Sequence, residues 1–327
     1  MIISKTPYRI SFFGGGSDFP EYFMENTHAH VLSTTIDKYL YVVVKERFDD
    51  KIRLNYSTTE TVDNLLDLNH ELARWALKFS QIFSGIEIST MGDIPEGSGL
   101  GSSSAVTVGL LNALQTKIGI ALDKEKLASY AIHIENNLLR KPMGIQDQVA
   151  VAYGGFNEIG FHRYSPNFTV FDPEIPKDTL TKLNNNLLLF YTGNTRFTSD
   201  ILREQKMNTA SQSILISELV SLCKDAISSL KIGKLNNFGN LLHKSWELKK
   251  KLNPKTTNPN IDDLYNYGLT NGALGGKILG AGGGGYMLFY VPQEKQAELK
   301  HAMNIKKILE LPFRFEKNGS KIIFNNE

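Results

Sequence analysis

Hydrophobic and polar positions alternate with a period of two at several places, the spacing of a half-buried strand. Ile10 and Phe12 alternate with Arg9 and Ser11, and Ile86 to Met91 repeats the pattern. Val31 to Val44 predicts two strands, the clearer at Tyr39 to Val44, and Lys51 to Tyr56 predicts another. Asn157 to Tyr191 reads as short strands, the strongest at Leu187 to Tyr191, and a further strand follows at Tyr286 to Val291. Elsewhere the period is helical. Leu72, Trp75, Ala76 and Phe79 recur on one face, with the aromatic pair expected in the core. Leu127, Ala131, Ile134 and Leu138 line a helix over 124–139, with Glu135 beside the stripe. There a carboxylate is either a flank charge in solvent or a metal ligand at a cleft edge. Helices are predicted over 207–230, 235–252, 261–269 and 293–303, and strands near Phe313 and Ile322.

Length and composition bound the picture. The 327 residues suggest two domains at roughly 150 residues each. Pro173 and Pro176 interrupt the pattern, so the boundary is drawn after Asp172, giving domains 1–172 and 173–327. A net charge of +2 offers no general case for nucleic acid or an anionic membrane as partner. Cys223 is the single cysteine, which allows no intrachain disulfide and reads as a small buried residue. The first residues lack the apolar core of a signal peptide, and no run approaches a membrane span. A cytoplasmic protein is expected.

Three glycine-rich stretches carry the candidate chemistry. Pro95-Glu96-Gly97-Ser98-Gly99-Leu100-Gly101-Ser102-Ser103-Ser104 lies between a predicted strand and a predicted helix at Val106 to Leu114. Glycines let backbone N–H groups converge, and a helix N-terminus adds partial positive charge, so the loop suits a phosphate. It lacks the lysine of a Walker A loop, and Ser102 stands where a dinucleotide fingerprint needs glycine. The plainer reading is a flexible loop with a serine cap. Gly14-Gly15-Gly16-Ser17-Asp18 ends the first strand. Asp18 there could accept hydrogen bonds from adjacent sugar hydroxyls or close an Asx turn. Gly275 to Gly285 enters the strand at Tyr286, which points to close backbone approach. Asp147, between two glutamines, is a candidate general base or a helix-start aspartate. Arg196 could grip a phosphate or pair with a surface carboxylate, and Lys249 to Lys251 read as a solvated helix end.

Taken in order, Pro7 to Asp18, Pro95 to Ala105 and Lys277 to Gly285 resemble the three motifs of the GHMP kinases, the family of galactokinase, homoserine kinase, mevalonate kinase and phosphomevalonate kinase. The resemblance implies an α+β fold, with a ribosomal-protein-like N-terminal domain and a ferredoxin-like C-terminal domain. It implies Asp147 as catalytic aspartate with Arg9 paired to it. Pro95 and Gly97 through Ser104 would bind ATP, and Ser103 and Glu135 would ligate Mg²⁺. Gly15, Gly16, Ser17, Asp18, Gly144, Gly282 and Gly283 would surround the substrate. Phe12-Phe13-Gly14-Gly15-Gly16-Ser17-Asp18-Phe19-Pro20, Gly144-Ile145-Gln146-Asp147-Gln148 and Tyr191 to Arg196 look like the family's sugar 1-kinases, above all those acting on a heptose 7-phosphate to give nucleotide-activated heptose. The partners would then be ATP and a sugar phosphate, with Arg196, or else Arg140 or Lys141, holding the substrate phosphate. A homodimer is left open. The Gly-Glu-His-Thr-Asp of galactokinases is Gly15-Gly16-Ser17-Asp18 here, so two side chains that touch galactose there are missing and galactose is not expected. A free sugar such as fucose or an N-acetylhexosamine, and a catalytically silent ATP and sugar sensor, are the alternatives. Arg9, Glu135 and Asp147 together speak against the sensor. Tyr56 and Ser57 lie where an adenine pocket could form.

Overall fold

The computed structural model describes residues 1–193, 199–209 and 211–326. Strand β1 (Ile2–Phe13), the single turn α1 (Pro20–Phe23) and the long strand β2 (His30–Glu46) open the chain. Strands β3 (Ile52–Asn55) and β4 (Thr59–Val62), helix α2 (Glu71–Phe79) and strand β5 (Ile86–Gly92) lead to helix α3 (Ser102–Lys117). Helix α4 (Lys124–Ile132) runs into a π-helical turn (His133–Leu138), followed by α5 (Gln146–Tyr153), β6 (Phe156–Phe161) and β7 (Phe168–Phe171). Helix α6 (Lys177–Asn185), strand β8 (Leu187–Tyr191), and helices α7 (Ser199–Asn208), α8 (Ser213–Lys231), α9 (Leu235–Leu252) and α10 (Pro259–Thr270) come next. Strands β9 (Gly275–Ile278) and β10 (Tyr286–Tyr290), helix α11 (Gln293–Ile305) and short strands β11 (Leu309–Glu310), β12 (Phe315–Glu316) and β13 (Lys321–Asn325) complete it.

Two sheets organise these elements. The larger runs β13-β1-β2-β5-β3-β4, with β6 and β12 also on β2 and β7 on β6. The smaller is β11-β8-β10-β9 and antiparallel throughout. Helix α3 is buried on nearly every side, as an apolar sequence without a polar face must be. It lies against β1 and β2, and Gly109 makes the approach close. A Cβ there would meet Thr6 Oγ1 and Val42 Cγ2 at 3.1 Å. The smaller sheet has its own core of Phe190, Trp246, Tyr265, Met287 and Phe289. Among the described residues no helix is long and apolar enough to cross a membrane.

Four departures from the sequence expectations have physical reasons. Val31 to Val44 is one strand, because the polar step Asp37-Lys38 is taken up as a bulge where Pro7 faces Tyr39 and Tyr8 faces Ile36. The helix expected over 207–230 is two, α7 and α8, with a turn closed by Gln212 N–H onto Asn208 and Thr209 carbonyls. Residues 177–185 form a helix rather than a strand, its inward face supplied by Thr179 and Leu183. Residues after 312 return to the first sheet: Phe315 faces Ile36, and Ile2 faces Asn325. Sequence continuity past Asp172 therefore does not keep the chain out of the larger sheet.

Candidate active site

A cavity of about 540 Å³ opens where the end of β1, the loop before α3, the start of α5, helix α9 and the second glycine tract meet. Arg9 enters it from β1, where strand alternation puts its side chain opposite the inward Tyr8 and Ile10. Its Nε and Nη2 donate to Asp147 Oδ1 and Oδ2 at 2.7 and 2.6 Å, a bidentate pair. Nη1 donates to Gly99 O at 2.7 Å, and the Arg9 backbone N–H donates to Leu100 O at 3.0 Å. One residue thus fixes both the carboxylate and the glycine loop. Arg9 is 4 % exposed, so truncating either partner leaves a buried charge, at a cost of about 3–5 kcal/mol. Ser11 Oγ donates to Gln146 Oε1 at 2.7 Å and ties the start of α5 to the same strand.

The loop before α3 is shaped by Gly97, Gly99 and Gly101, all with φ between 72° and 84°. Gly101 precedes the first helical residue, and Ala105 N–H already returns to Gly101 O. The N–H groups of Ser102, Ser103 and Ser104 are therefore the open donors of the first turn. Ser103 Oγ and Ser104 Oγ donate to Glu135 Oε1 and Oε2 at 2.7 and 2.9 Å. Gln148 Nε2 donates to Glu135 Oε2 at 2.5 Å, and Lys141 Nζ reaches Ser103 Oγ at 3.0 Å. Glu135 is fully buried, so the solvated flank charge that an even helical period allows is not what forms. The cause is the π turn, closed by Leu139 N–H onto Ile134 O, which breaks the 3.6 period at that position.

Asp18 accepts from Gly16 N–H at 3.1 Å and Gln146 N–H at 3.4 Å. Burial, and next the charge of Asp147, push its carboxyl above the usual range. Gly144 must be glycine, since a Cβ would stand 1.9 Å from Asp18 Oδ2.

Arg9, Gly15, Gly16, Asp18, Gly97, Gly99, Gly101, Ser102, Ser103, Gly144 and Asp147 all line the cavity. Other expected site residues serve the walls. Ser17 Oγ donates to Gly14 O and His30 O, closing the turn rather than facing a ligand. Ser98 is buried with its carbonyl bonded to Tyr286 N–H, and Leu100 is buried beneath the loop. Pro95 is exposed at the loop entry. Gly282 and Gly283 lie behind the cavity wall, against Thr256: Gly283 N–H donates to Thr256 O at 2.7 Å. Their neighbours Gly280 and Ala281 line the cavity instead. Tyr56 sits edge-on to His70 and bonds Glu60, and neither it nor Ser57 lines the cavity. Arg140 is exposed, and Arg196 lies outside the described residues.

Sequence reasoning missed Lys249, which lines the cavity with Lys277; of its neighbours, Lys250 pairs with Glu247 at 2.8 Å and only Lys251 is exposed. The one signal for Lys249 is position: it stands one turn after the buried Ser245, on the inward stripe of α9.

The comparisons with known proteins agree with this architecture. The GHMP kinases N terminal domain model matches residues 64–155, and the GHMP kinases C terminal model matches residues 226–308. The chain is 30% identical to the D-glycero-alpha-D-manno-heptose 7-phosphate kinase of Campylobacter jejuni, over 98% of each chain. It is also 30% identical to the L-fucokinase/L-fucose-1-P guanylyltransferase of Bacteroides fragilis, over 94% of this chain and 36% of that protein. A D-glycero-D-manno-heptose 1-phosphate kinase from Bacteroides thetaiotaomicron shares the fold, with a TM-score of 0.81 at 24% identity over the whole of both chains. The chain belongs to the GHMP kinases, a family that uses ATP, and is a phosphotransferase with an alcohol group as acceptor.

Proposed function

We propose that the protein transfers the γ-phosphoryl group of ATP to the anomeric hydroxyl of a sugar phosphate, D-glycero-D-manno-heptose 7-phosphate, giving the 1,7-bisphosphate. The carrying observation is the bidentate Arg9–Asp147 pair, held in the cavity by the same arginine that anchors the glycine loop. The full-length likeness to the Campylobacter heptose 7-phosphate kinase supports the choice of acceptor.

In this reading the triphosphate lies on the open N–H groups of Ser102 to Ser104, with Lys141 beside them. Asp147 accepts the acceptor proton as the hydroxyl oxygen forms its bond to the γ-phosphorus. The bond from that phosphorus to the β–γ bridging oxygen breaks, and the electrons leave with ADP. An anomeric hydroxyl is more acidic than an ordinary alcohol, so a carboxylate suffices as base. Arg9 positions Asp147 and offsets charge on the transferring group. Asp18 accepts from acceptor hydroxyls beside the Gly14–Gly16 turn. The Ser103 hydroxyl and the Glu135 carboxylate are adjacent hard oxygen donors that would hold Mg²⁺. When bound, the ion would neutralise phosphate charge.

The deciding experiment is ATP consumption against free sugars and sugar phosphates, with NMR of the product. Phosphate at C1 of heptose 7-phosphate is expected. Turnover confined to unphosphorylated sugars would replace that acceptor with one of the fucose type, the reading that the Bacteroides fragilis relative favours.

A further inference from the structure

Lys277 and Lys249 are two cavity cations that the reaction just described does not use. Lys277 is 5 % exposed, and its Nζ donates to Phe12 O at 2.7 Å, at the end of β1 that leads into the Gly14–Asp18 turn. Lys249, on α9, donates to Ile278 O at 3.3 Å and Gly280 O at 2.5 Å. All three acceptors are backbone carbonyls. Among the described residues no carboxylate forms an ion pair with either lysine. An ammonium has three donors; two of three are engaged at Lys249 and one of three at Lys277, which leaves one and two.

The surroundings do not supply the missing charge. Asp147 is bound to Arg9, and Asp18 is engaged by backbone N–H groups. Burial, then Lys277 and then Arg9 hold the Lys249 ammonium well below the usual lysine range. Burial pushes Lys277 down to about 8, with Cys223 and Arg9 as its charged or titratable neighbours. Cations in such a place are costly without a counter-ion. The triphosphate has its own donors at the start of α3. Lys249 bonds Gly280, which packs on Gly99 of the glycine loop, but the pair also reaches the acceptor side: Gly16 stands against Leu252, one turn beyond Lys249, and Lys277 bonds Phe12 O, which leads into the acceptor turn.

We propose that Lys249 and Lys277 form the anion anchor that holds the phosphate carried by the acceptor. This rests on the reading of the acceptor as a sugar phosphate, and it assigns to this pair the role first given to Arg196, Arg140 or Lys141. Two lysines make a point-charge clamp, suited to a phosphate monoester dianion.

The test compares Lys249→Met, Lys277→Met and the double variant with the unaltered protein on heptose 7-phosphate and on the same heptose without phosphate. Each variant is first confirmed folded by thermal unfolding and by binding of a non-hydrolysable ATP analogue. The ratio of kcat/KM for the phosphorylated to the unphosphorylated acceptor is expected to fall about 100-fold in the double variant, through KM. An equal loss on both acceptors overturns the anchor and gives the lysines to the ATP phosphates; no loss overturns it outright. A second arm separates the anion site from the acceptor assignment. With the analogue saturating the phosphate loop, inorganic phosphate is titrated into the unaltered protein and into Lys249→Met. Lysine-dependent phosphate binding in a protein that turns over only free sugars sustains an anion site at this pair but overturns its role as anchor of an acceptor phosphate, together with the heptose phosphate reading. Phosphate binding that the variant does not weaken overturns the anchor.

Discussion

The two glycine tracts look alike as strings and do different things. Gly97, Gly99 and Gly101 bend a loop whose inner surface faces the cavity. Gly280, Gly282 and Gly285 mostly answer to backbone. A Cβ on Gly280 would stand 2.6 Å from Gly99 Cα, one on Gly285 2.4 Å from Ser98 O, and one on Gly282 2.5 Å from Thr256 Cγ2. The second tract is the mould against which the first is cast. The lesson is that a glycine motif has two possible readers, a ligand or another stretch of main chain. Gly14 and Gly15 repeat the contrast at smaller scale: a Cβ on Gly14 would stand 1.9 Å from His30 O, whereas one on Gly15 meets nothing within 4 Å. Gly14 serves the fold. Gly15 borders open space in the cavity.

If the first tract serves chemistry, the largest loss of rate comes from the pair it is tied to. Asp147→Asn is expected to lower kcat by about 10³-fold while ATP analogue binding persists; steady-state kinetics with calorimetry checks both, and near-normal turnover would remove Asp147 as the base. Glu135→Gln, beneath the first helical turn, should raise the Mg²⁺ concentration needed for half-maximal rate by about 10–100-fold. A metal titration that superimposes on the unaltered protein's would break that assignment. If the second tract serves the backbone, Gly285→Ala should cost stability first, about 2–4 kcal/mol, because the residue has φ 93° and its Cβ meets a carbonyl. Urea unfolding measures this, and an unchanged midpoint would dissolve the distinction between the tracts. Gly15→Ala is the sharpening control: the same midpoint within error, with KM for the acceptor raised several-fold.

The smallest effect is one of pH. Lys277 is lowered from 10.5 to about 8 in the folded protein, so between those values the unfolded chain holds more proton there than the folded one. Stability from this group therefore rises with pH across that window. Lys277→Met should lack the rise, which unfolding midpoints from pH 7.5 to 10 would reveal by difference.

What could be read from the sequence follows the range of the interaction. Strand alternation at Ile10 and Phe12, the loop-to-helix order at Gly97 to Ser104 and the three motifs in sequence are local, and they led to the fold and to Arg9, Asp18, Asp147 and Glu135. The roles of Ser17, Gly282 and Gly283 were not legible, because a hydroxyl or a bare Cα can face a ligand or a carbonyl without changing the string. Lys249 hid in a run of three lysines whose members differ only in azimuth around α9. The π turn hid because Leu127, Ala131, Ile134 and Leu138 keep a regular helical period through it.

The pairing of β1 with β13 has a consequence for how the enzyme is made. Arg9 sits on β1, and one edge of that strand is covered only when Lys321 to Asn325, far later in the sequence, have been synthesised. Until then Ile2 to Lys5 present an open edge, the kind of surface on which chains pair wrongly. Ser320 completes the join, bonding Thr6 and Asn112 at 2.8 and 3.0 Å. A nascent chain thus carries the Gly97–Gly101 loop and Arg9 long before β13 covers the edge of β1, and removal of Lys321 to Asn325 reopens the strand that bears Arg9.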